Sequence, residues 1–313
     1  MKFNLHPQAQ AAADEINELL PEDDSVEAAR PFLLKLVDFA GPIEQMAKVE
    51  DRTVDTSNGP VPIRIYRPIL DEILPAVIYF HGGWFFMGDL DTHDRTVRSL
   101  ANASGCLVVA VDYRLAPEHP CPAAADDAYA VTDWVATNAG KLGIDPNRIS
   151  VVGDSAGGNL AAVVALRARD RSGPKLAFQA LIYPVTDASL DTPSWREFAE
   201  GPVLTHKGGV LAWDRYVPNQ TDRQHPDVSP LHAPDLSGLP PALVITAEFD
   251  GLRDEGEAYA EGLKRAGVPV TLTRYPGMVH GFFTMAGKID DGRKAINEVA
   301  QALRTGVQIF MSA

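Results

Sequence analysis

One serine of the chain stands between two glycines, in the run Gly-Asp-Ser-Ala-Gly at positions 153–157. The run follows a β-rich stretch and precedes a stretch typical of a helix, so Ser155 is predicted to lie on a sharp strand-to-helix turn. Glycine permits such a turn because a side chain at either position would clash. At a helix N-terminus, where the helix dipole stabilises negative charge, Ser155 is the candidate nucleophile. An ordinary glycine-rich turn is the alternative.

A serine hydroxyl needs a base to remove its proton and an acid to orient that base. After a turn of this kind the expected chain order is serine, acid and then histidine. His280 follows the last predicted strand and precedes the C-terminal helix, so it is the candidate base. The other histidines precede Ser155 or lie in a segment without a strand–helix pattern: His6, His81, His93, His119, His206, His225 and His232.

Three carboxylates follow the predicted strand Ala242 to Thr246. Asp250 is the candidate acid, because it lies just beyond the strand in a turn from which its side chain could reach a neighbouring loop. Glu248 is the second candidate. Asp254 is interpreted instead as a helix N-cap, with Glu257 three residues later completing a capping box.

The negative charge of a tetrahedral intermediate requires backbone N–H donors. Ala156, directly after the nucleophile, is expected to supply one, and Gly82 and Gly83 are expected to supply the others. These glycines follow a predicted strand, so they and Ser155 share the carboxyl edge of a parallel sheet. Trp84 and Phe85 come next in the chain and are expected to line the substrate pocket.

Short β-rich runs alternate along the chain with amphipathic stretches, which predicts an α/β fold with a mostly parallel sheet covered on both faces. Two further runs, Arg52 to Thr56 and Val61 to Tyr66, flank a turn-prone Ser-Asn-Gly-Pro and predict an antiparallel hairpin at the sheet edge. The other predicted strands are Ala76 to Phe80, Cys106 to Val111, Ile149 to Val152, Ala177 to Ile182, Ala242 to Thr246 and Val270 to Tyr275. The predicted helices are His93 to Ala103, Ala123 to Thr137, Gly157 to Arg169, Asp254 to Ala266 and Gly292 to Phe310.

Two segments fall outside the alternation and are predicted to form a helical cap together. Residues 1–45 have apolar side chains at helical spacing, and residues 186–234 are rich in proline, aromatic and polar residues. The remaining residues, 46–185 and 235–313, are expected to form the two parts of the α/β core.

The chain carries 28 basic and 42 acidic residues among 313, for a formal net charge of -14. This charge disfavours nucleic acid and anionic membrane surfaces as partners. Two cysteines, Cys106 and Cys121, are too few for a disulfide framework or a zinc cluster and are expected to be free thiols. The start of the chain does not read as a secretory signal, and a cytoplasmic protein is expected.

Several motifs together resemble those of the hormone-sensitive-lipase-like carboxylesterases, a branch of the α/β-hydrolases. The similarity extends over roughly residues 50–310. It implies an α/β-hydrolase fold, the triad Ser155, Asp250 and His280, and hydrolysis of small esters without a cofactor or a metal. The motifs are His81-Gly82-Gly83, Asp112-Tyr113-Arg114-Leu115-Ala116-Pro117-Glu118, Gly153-Asp154-Ser155-Ala156-Gly157-Gly158-Asn159, Asp250-Gly251-Leu252-Arg253-Asp254-Glu255-Gly256 and His280-Gly281-Phe282.

Two positions depart from the pattern of this family. Trp84 replaces a third glycine, and tryptophan is not expected to adopt the positive φ that glycine tolerates. Gly251 stands where proline is common, which should loosen the turn after the acid. In a third motif, Arg114 and Glu118 are expected to pair with each other as scaffold, because buried charges need partners.

The favoured function is therefore a carboxylesterase for short-to-medium acyl chains, because aromatic side chains crowd the region beside the oxyanion donors. An amidase or arylformamidase with the same triad is an alternative, since the triad does not distinguish leaving groups. A non-catalytic small-ligand receptor on the same fold is a further alternative. Two copies of the chain could pair through the edge of the last strand, around Val270 to Arg274, as in dimers of this family.

Overall fold

The computed structural model describes residues 3–21 and 23–309. Within these residues eight strands form one sheet in the spatial order β1-β2-β4-β3-β5-β6-β7-β8. The β1–β2 and β2–β4 pairs are antiparallel, and every other neighbouring pair is parallel. The strands are β1 Lys48–Thr56, β2 Gly59–Arg67, β3 Leu74–Phe80, β4 Leu107–Val111, β5 Ile144–Asp154, β6 Phe178–Ile182, β7 Ala242–Phe249 and β8 Val270–Val279.

Helices connect the strands and cover the sheet. They are α1 Pro7–Leu19, α2 Val26–Lys35, α3 Asp94–Ser104, α4 Ala123–Thr137, α5 Ala139–Leu142, α6 Ala156–Asp170, α7 Pro193–Glu197, α8 His206–Tyr216, α9 Arg253–Arg265 and α10 Asp290–Ile309. The predicted end of the last helix, Phe310, lies outside the described residues. The mostly parallel sheet and its edge hairpin are confirmed, and β5 and β8 are longer than predicted.

The two faces of the sheet bury separate sets of apolar side chains. In β3, Ile78 and Phe80 pack in the same cluster as Leu160 of α6. Tyr79, which points to the opposite face, packs in the cluster that contains Val97 of α3. Burial on both faces explains why the central strands read as continuous apolar runs and not as alternating ones.

The two segments outside the alternation fold as helices, α1 and α2 in the first and α7 and α8 in the second. They contact each other through Asp24, whose carboxylate pairs with Lys207 at 2.5 Å and whose backbone carbonyl oxygen accepts a hydrogen bond from the guanidinium of Arg215. The start of α1 is attached to the core, because the His6 N–H donates to the carbonyl oxygen of Gly277 at 3.0 Å.

The predicted capping box at the start of α9 is wrong. Leu252 is the N-cap of this helix, and its side chain makes no capping hydrogen bond. Asp254 instead accepts the backbone N–H of Ser194 at 2.8 Å, and Glu257 binds the guanidinium of Arg274 at 2.5 Å. Both acidic side chains therefore bind groups from other segments of the chain and do not cap the helix.

The predicted pair of Arg114 and Glu118 is also wrong. Arg114 forms a bidentate ion pair with the buried carboxylate of Asp127, at 2.8 Å for both contacts. Glu118 is exposed and binds Arg30 of α2 at 2.6 Å. Both residues are scaffold in the structure, but each has a partner distant in the sequence.

Cys106 and Cys121 are free thiols, as predicted. Among residues 3–21 and 23–309, no helix is both long and apolar enough to cross a membrane.

Candidate active site

The nucleophile turn, residues 153–157, joins β5 to α6. Ser155 has φ 56° and ψ −119°, a strained conformation at the helix N-terminus. A Cβ on Gly153 would lie 2.1 Å from the carbonyl oxygen of Gly157. A Cβ on Gly157 would lie 1.9 Å from the carbonyl oxygen of Phe80. Both glycines are therefore required by neighbouring backbone, as the sequence pattern predicts.

The structure brings Ser155, His280 and Asp250 into one buried chain of contacts. Ser155 Oγ lies 3.0 Å from His280 Nε2, and His280 Nδ1 lies 2.7 Å from Asp250 Oδ2. The three residues are between 2 and 8 % exposed. A base held between a hydroxyl and a carboxylate in this way can remove the hydroxyl proton and be stabilised as it becomes charged.

Asp250 begins the acid turn, residues 250–256, which leads into α9. Its second carboxylate oxygen accepts the N–H of Leu252 at 3.0 Å, which fixes the side chain. Glu248, the second candidate acid, is used elsewhere, because its side chain accepts the N–H of Gly277 at 2.6 Å.

Gly251 does not loosen the acid turn as expected. Its carbonyl oxygen accepts a hydrogen bond from the hydroxyl of Ser194 at 2.6 Å. A Cβ at this position would lie 2.6 Å from the indole ring of Trp195. Side chains of the segment at 186–234 therefore hold the turn and leave room only for glycine.

Glu255 belongs to the same turn and is fully buried. It accepts the indole N–H of Trp195 at 2.9 Å and the backbone N–H of Thr186 at 2.7 Å. Burial raises the pKa of Glu255 to about 8, although these donors act in the opposite direction. The sequence motif contains this glutamate but gives no signal of its role.

The oxyanion loop, residues 81–88, follows β3 and corrects the prediction for Gly82. Its N–H donates to Asp154 Oδ1 at 3.0 Å, so this group is already in use. Within the described part of the chain, the N–H groups of Gly83, Trp84 and Ala156 donate to no protein acceptor. These three remain available to an oxyanion.

Trp84 does adopt a positive φ, of 54°, contrary to the expectation from its side chain. The turn is fixed on both sides of it. The N–H groups of Phe86 and Met87 both donate to the carbonyl oxygen of Gly83, at 3.1 and 2.8 Å. The Trp84 ring packs 6.3 Å from that of Trp195.

The prediction that Phe85 lines the substrate pocket is wrong. Phe85 is 1 % exposed and stacks on Tyr216, with ring centroids 3.9 Å apart. The pocket is a mostly apolar cavity of about 280 Å³ that contains Ser155 and His280 at its wall. It is also lined by Gly83, Trp84, Phe86 and Met87 of the oxyanion loop, by Ile16, Leu20, Ala29, Phe32, Leu33 and Leu36, and by Val203, Leu204, Gly208, Leu211 and Arg215.

A buried polar cluster that the sequence analysis did not find supports the oxyanion loop. The ring of His81 stacks on Tyr113 at 4.3 Å, and its Nδ1 lies 2.7 Å from the carbonyl oxygen of Gly82. Burial, with a smaller effect of His93, lowers the pKa of His81 to about 4, so the ring is neutral and can donate from Nδ1. The Tyr113 hydroxyl donates to the carbonyl oxygen of His81 at 2.7 Å.

Across residues 3–21 and 23–309, no group of three or more His, Cys, Asp or Glu residues is placed to hold a metal ion.

Comparison with known proteins agrees with this geometry. The profile of a family described as having the alpha/beta hydrolase fold matches residues 77–284. Carboxylesterase NlhH of Mycobacterium tuberculosis is 46% identical over 288 residues, which cover 90% of this chain and 89% of the relative. Ethyl acetate hydrolase of Pseudomonas putida is 38% identical over 285 residues, or 89% of each chain. The structure of a hyperthermophilic esterase from Pyrobaculum calidifontis superposes with a TM-score of 0.92 at 44% identity and covers 96% of this chain and 98% of its own.

The chain belongs to the α/β-hydrolase superfamily and, within it, to the hormone-sensitive-lipase-like carboxylesterases. It is a serine carboxylic ester hydrolase, and the Ser-His-Asp triad is general to the family.

Proposed function

We propose that Ser155, His280 and Asp250 are the triad of this esterase. The observation that carries the assignment is the continuous path from Ser155 Oγ through the imidazole to the carboxylate, with contacts of 3.0 and 2.7 Å. Ser155 attacks the carbonyl carbon of the ester while His280 Nε2 takes its proton. His280 then protonates the departing alcohol, and water hydrolyses the acyl-enzyme by the same route.

The oxyanion donors are, in this proposal, the N–H groups of Gly83, Trp84 and Ala156. Their freedom from protein acceptors supports the assignment, as does the position of Ala156 at the first turn of α6, where the helix dipole favours negative charge. A side chain at position 84 does not remove the donor, because the N–H belongs to the backbone.

The two segments outside the strand–helix alternation act as a cap over this site. Residues 1–45 and 186–234 contribute side chains to the cavity that contains Ser155, and Asp24 and Lys207 connect them at its mouth. Residues 46–185 and 235–313 form the core in this division of the chain.

The substrates are esters with short-to-medium acyl chains. A cavity of about 280 Å³ is close to the lower end of the range of ligand pockets, which run from about 300 to 1,000 Å³. Trp84 and Phe86 crowd its wall next to the oxyanion donors. One relative is named for ethyl acetate, a small ester.

The triad is tested by measuring hydrolysis of p-nitrophenyl esters by the wild type and by Ser155→Ala. Removing a triad nucleophile should lower kcat by at least about 10³-fold. A phosphonate inhibitor should label the wild type at Ser155 and leave the variant unlabelled. Retention of wild-type activity in the variant, or a label on another residue, would contradict the assignment. Matched amides in the same assay measure how far the activity extends to the amidase alternative.

The acyl preference is tested with p-nitrophenyl esters from acetate to decanoate. The kcat/KM of the wild type should peak at short or medium chains. Trp84→Gly should move the peak to longer chains, because it removes the indole from the cavity wall and keeps the backbone N–H. Phe85→Leu is the matched control and should leave the peak in place, since Phe85 does not line the cavity. A wild-type maximum on emulsified long-chain triglycerides would exclude the proposed preference.

Cytoplasmic location and a homodimer also belong to the proposal. β8 is an edge strand of the sheet, so its outer side is available for pairing with a second copy. The molar mass in solution, measured by light scattering, distinguishes one copy from two.

A further inference from the structure

Asp154 is the residue before the nucleophile in the Gly-x-Ser-x-Gly motif, and the proposed mechanism gives it no role. Its carboxylate lies between the nucleophile turn and the oxyanion loop. It is 3 % exposed. Its Oδ1 accepts the hydroxyl of Tyr79 at 2.6 Å and the N–H of Gly82 at 3.0 Å. Its Oδ2 lies 3.7 Å from His93 Nε2. None of these contacts involves the hydroxyl of Ser155 or the ring of His280.

Gly82 is in close contact with this carboxylate. A Cβ on Gly82 would lie 2.5 Å from Asp154 Oδ2, so the glycine makes room for the carboxylate. Both polar backbone groups of Gly82 are used, because its N–H donates to Asp154 and its carbonyl oxygen lies 2.7 Å from His81 Nδ1. Gly82 is therefore a fixed point immediately before the N–H groups of Gly83 and Trp84, which donate to no protein acceptor in the described part of the chain.

The surroundings of Asp154 suit an ionised acceptor. Burial alone would raise its pKa, but His93 and the hydroxyl of Tyr79 hold the pKa of Asp154 below its ordinary value. A carboxylate is a stronger acceptor than a neutral oxygen, so the bond to Gly82 is charge-assisted. Such a bond resists rotation of the peptide units that follow it.

We propose that Asp154 is the positioning residue of the oxyanion hole: by anchoring Gly82, its carboxylate directs the N–H groups of Gly83 and Trp84 at the developing oxyanion. This inference rests on the proposed function, since it assumes that these groups are the donors. Asp154 also lines the cavity, but its carboxylate bonds to Tyr79 and Gly82 and not to Ser155 or His280, so its proposed role is exerted through the loop. The inference is based on one observation. The N–H of Gly82 donates to Asp154, whereas those of Gly83 and Trp84 donate to no protein acceptor in the described part of the chain.

The test compares oxygen esters with matched thionoesters, in which sulfur replaces the carbonyl oxygen. Sulfur accepts hydrogen bonds weakly, so thionoester turnover depends less on the oxyanion donors. Asp154→Ala should lower kcat on the oxygen ester by about 10²- to 10³-fold, the cost of losing an oxyanion donor. It should lower kcat on the thionoester by less than tenfold and leave KM nearly unchanged. A trifluoromethyl ketone, which forms a tetrahedral adduct on the serine, should bind more weakly in proportion.

Two variants make the test specific. Asp154→Asn keeps an acceptor oxygen but loses the charge, and should show an intermediate loss on the oxygen ester. Tyr79→Phe is the matched control, because it removes the other donor to Oδ1 and leaves the bond to Gly82 in place. It should lower the ratio of oxygen-ester to thionoester turnover by less than threefold.

Equal losses on the two esters in Asp154→Ala, with the fold intact by circular dichroism, would overturn the proposal. If Asp154→Ala does not fold, Asp154→Asn decides: an unchanged ester ratio overturns the proposal and a lowered ratio supports it. Phosphonate labelling of Ser155 keeps this test separate from the proposed function. A wild type that is not labelled at Ser155 refutes the triad, whereas labelled variants with an unchanged ratio refute only the role of Asp154.

Discussion

The nucleophile turn and the acid turn both follow a buried strand and both contain an obligatory glycine, but their neighbours differ. Gly157 is confined by backbone, since a Cβ there would meet the carbonyl oxygen of Phe80 on the adjacent strand. Gly251 is confined by a side chain, the indole of Trp195. The first turn is confined by the backbone of β3, and the second is held by side chains of the segment at 186–234.

The difference has a consequence for the proposed triad. The position of Ser155 depends on β3 and β5, which are paired along their length. The position of Asp250 depends in addition on Ser194 and Trp195, which bind the turn from the segment at 186–234. The acid should therefore respond to changes in that segment, and the nucleophile should not.

The largest effect is expected for Gly157→Ala. The added Cβ meets backbone that cannot shift without breaking the pairing of β3, so we expect a loss of more than about 3 kcal/mol in the free energy of unfolding or no soluble protein. Urea unfolding measures it. Gly140→Ala is the control, because a Cβ at that helical position meets nothing within 4 Å. If Gly157→Ala is as stable as the wild type, backbone does not confine this glycine and the proposed difference between the two turns is wrong.

A smaller effect is expected for Gly251→Ala, because an indole ring can shift where backbone cannot. The kcat should fall about tenfold to hundredfold as Asp250 moves, with a loss of about 1–3 kcal/mol in stability from overpacking. The double variant Gly251→Ala/Trp195→Leu should recover part of the kcat lost by the single variant. If the double variant shows no recovery, contact with Trp195 is not what confines the turn.

The smallest effect on activity is expected for Glu255→Gln, whose informative readout is the pH dependence of stability. The pKa of Glu255 is about 8 in the folded chain and near 4.5 in the unfolded chain, so the folded chain binds the extra proton between these values. Stability of the wild type should therefore fall as pH rises from about 4.5 to about 8, by up to about 1.4 kcal/mol for each pH unit.

Glu255→Gln cannot titrate and should lack this part of the slope, while kcat at neutral pH changes less than about threefold. The pH dependence of the free energy of unfolding decides the test, because the glutamine side chain of the variant also changes the stability at every pH. Glu261→Gln changes the same type of side chain on the exposed side of α9 and is the control. If the free energy of unfolding has the same pH dependence in the wild type and in Glu255→Gln, Glu255 does not bind the extra proton of the folded chain.

The sequence predicts this fold well because apolar periodicity and chain order are local properties. The same holds for Ser155, whose flanking glycines are confined by backbone, Gly153 by that of Gly157 in α6 and Gly157 by that of Phe80 in β3. Several of the predictions that failed concern the choice of a side-chain partner, and two others, for Gly82 and Trp84, concern the backbone of the oxyanion loop. Arg114 had a plausible partner four residues away, yet it binds Asp127 of the following helix, α4. Phe85 is next to Trp84 in the chain but packs on the opposite side of the loop, against Tyr216.

Two of the buried carboxylates, Asp154 and Glu255, belong to motifs noted in the sequence but had no predictable role. Their donors are backbone N–H groups and ring groups from distant segments, and such groups leave no pattern in the sequence. Only the folded structure shows that these two carboxylates lie near the active site.

The left-handed backbone at Trp84 links stability to selectivity at one residue. A side chain in this conformation costs about 1–2 kcal/mol relative to glycine, which adopts it freely. Trp84 is only 9 % exposed, however, and truncation of a buried tryptophan costs about 3–5 kcal/mol. Replacement by glycine should therefore make the enzyme less heat-resistant while it opens the pocket to bulkier acids. A screen that selects only for thermal stability should discard this replacement, so a search for a more promiscuous catalyst must score substrate range in the same round.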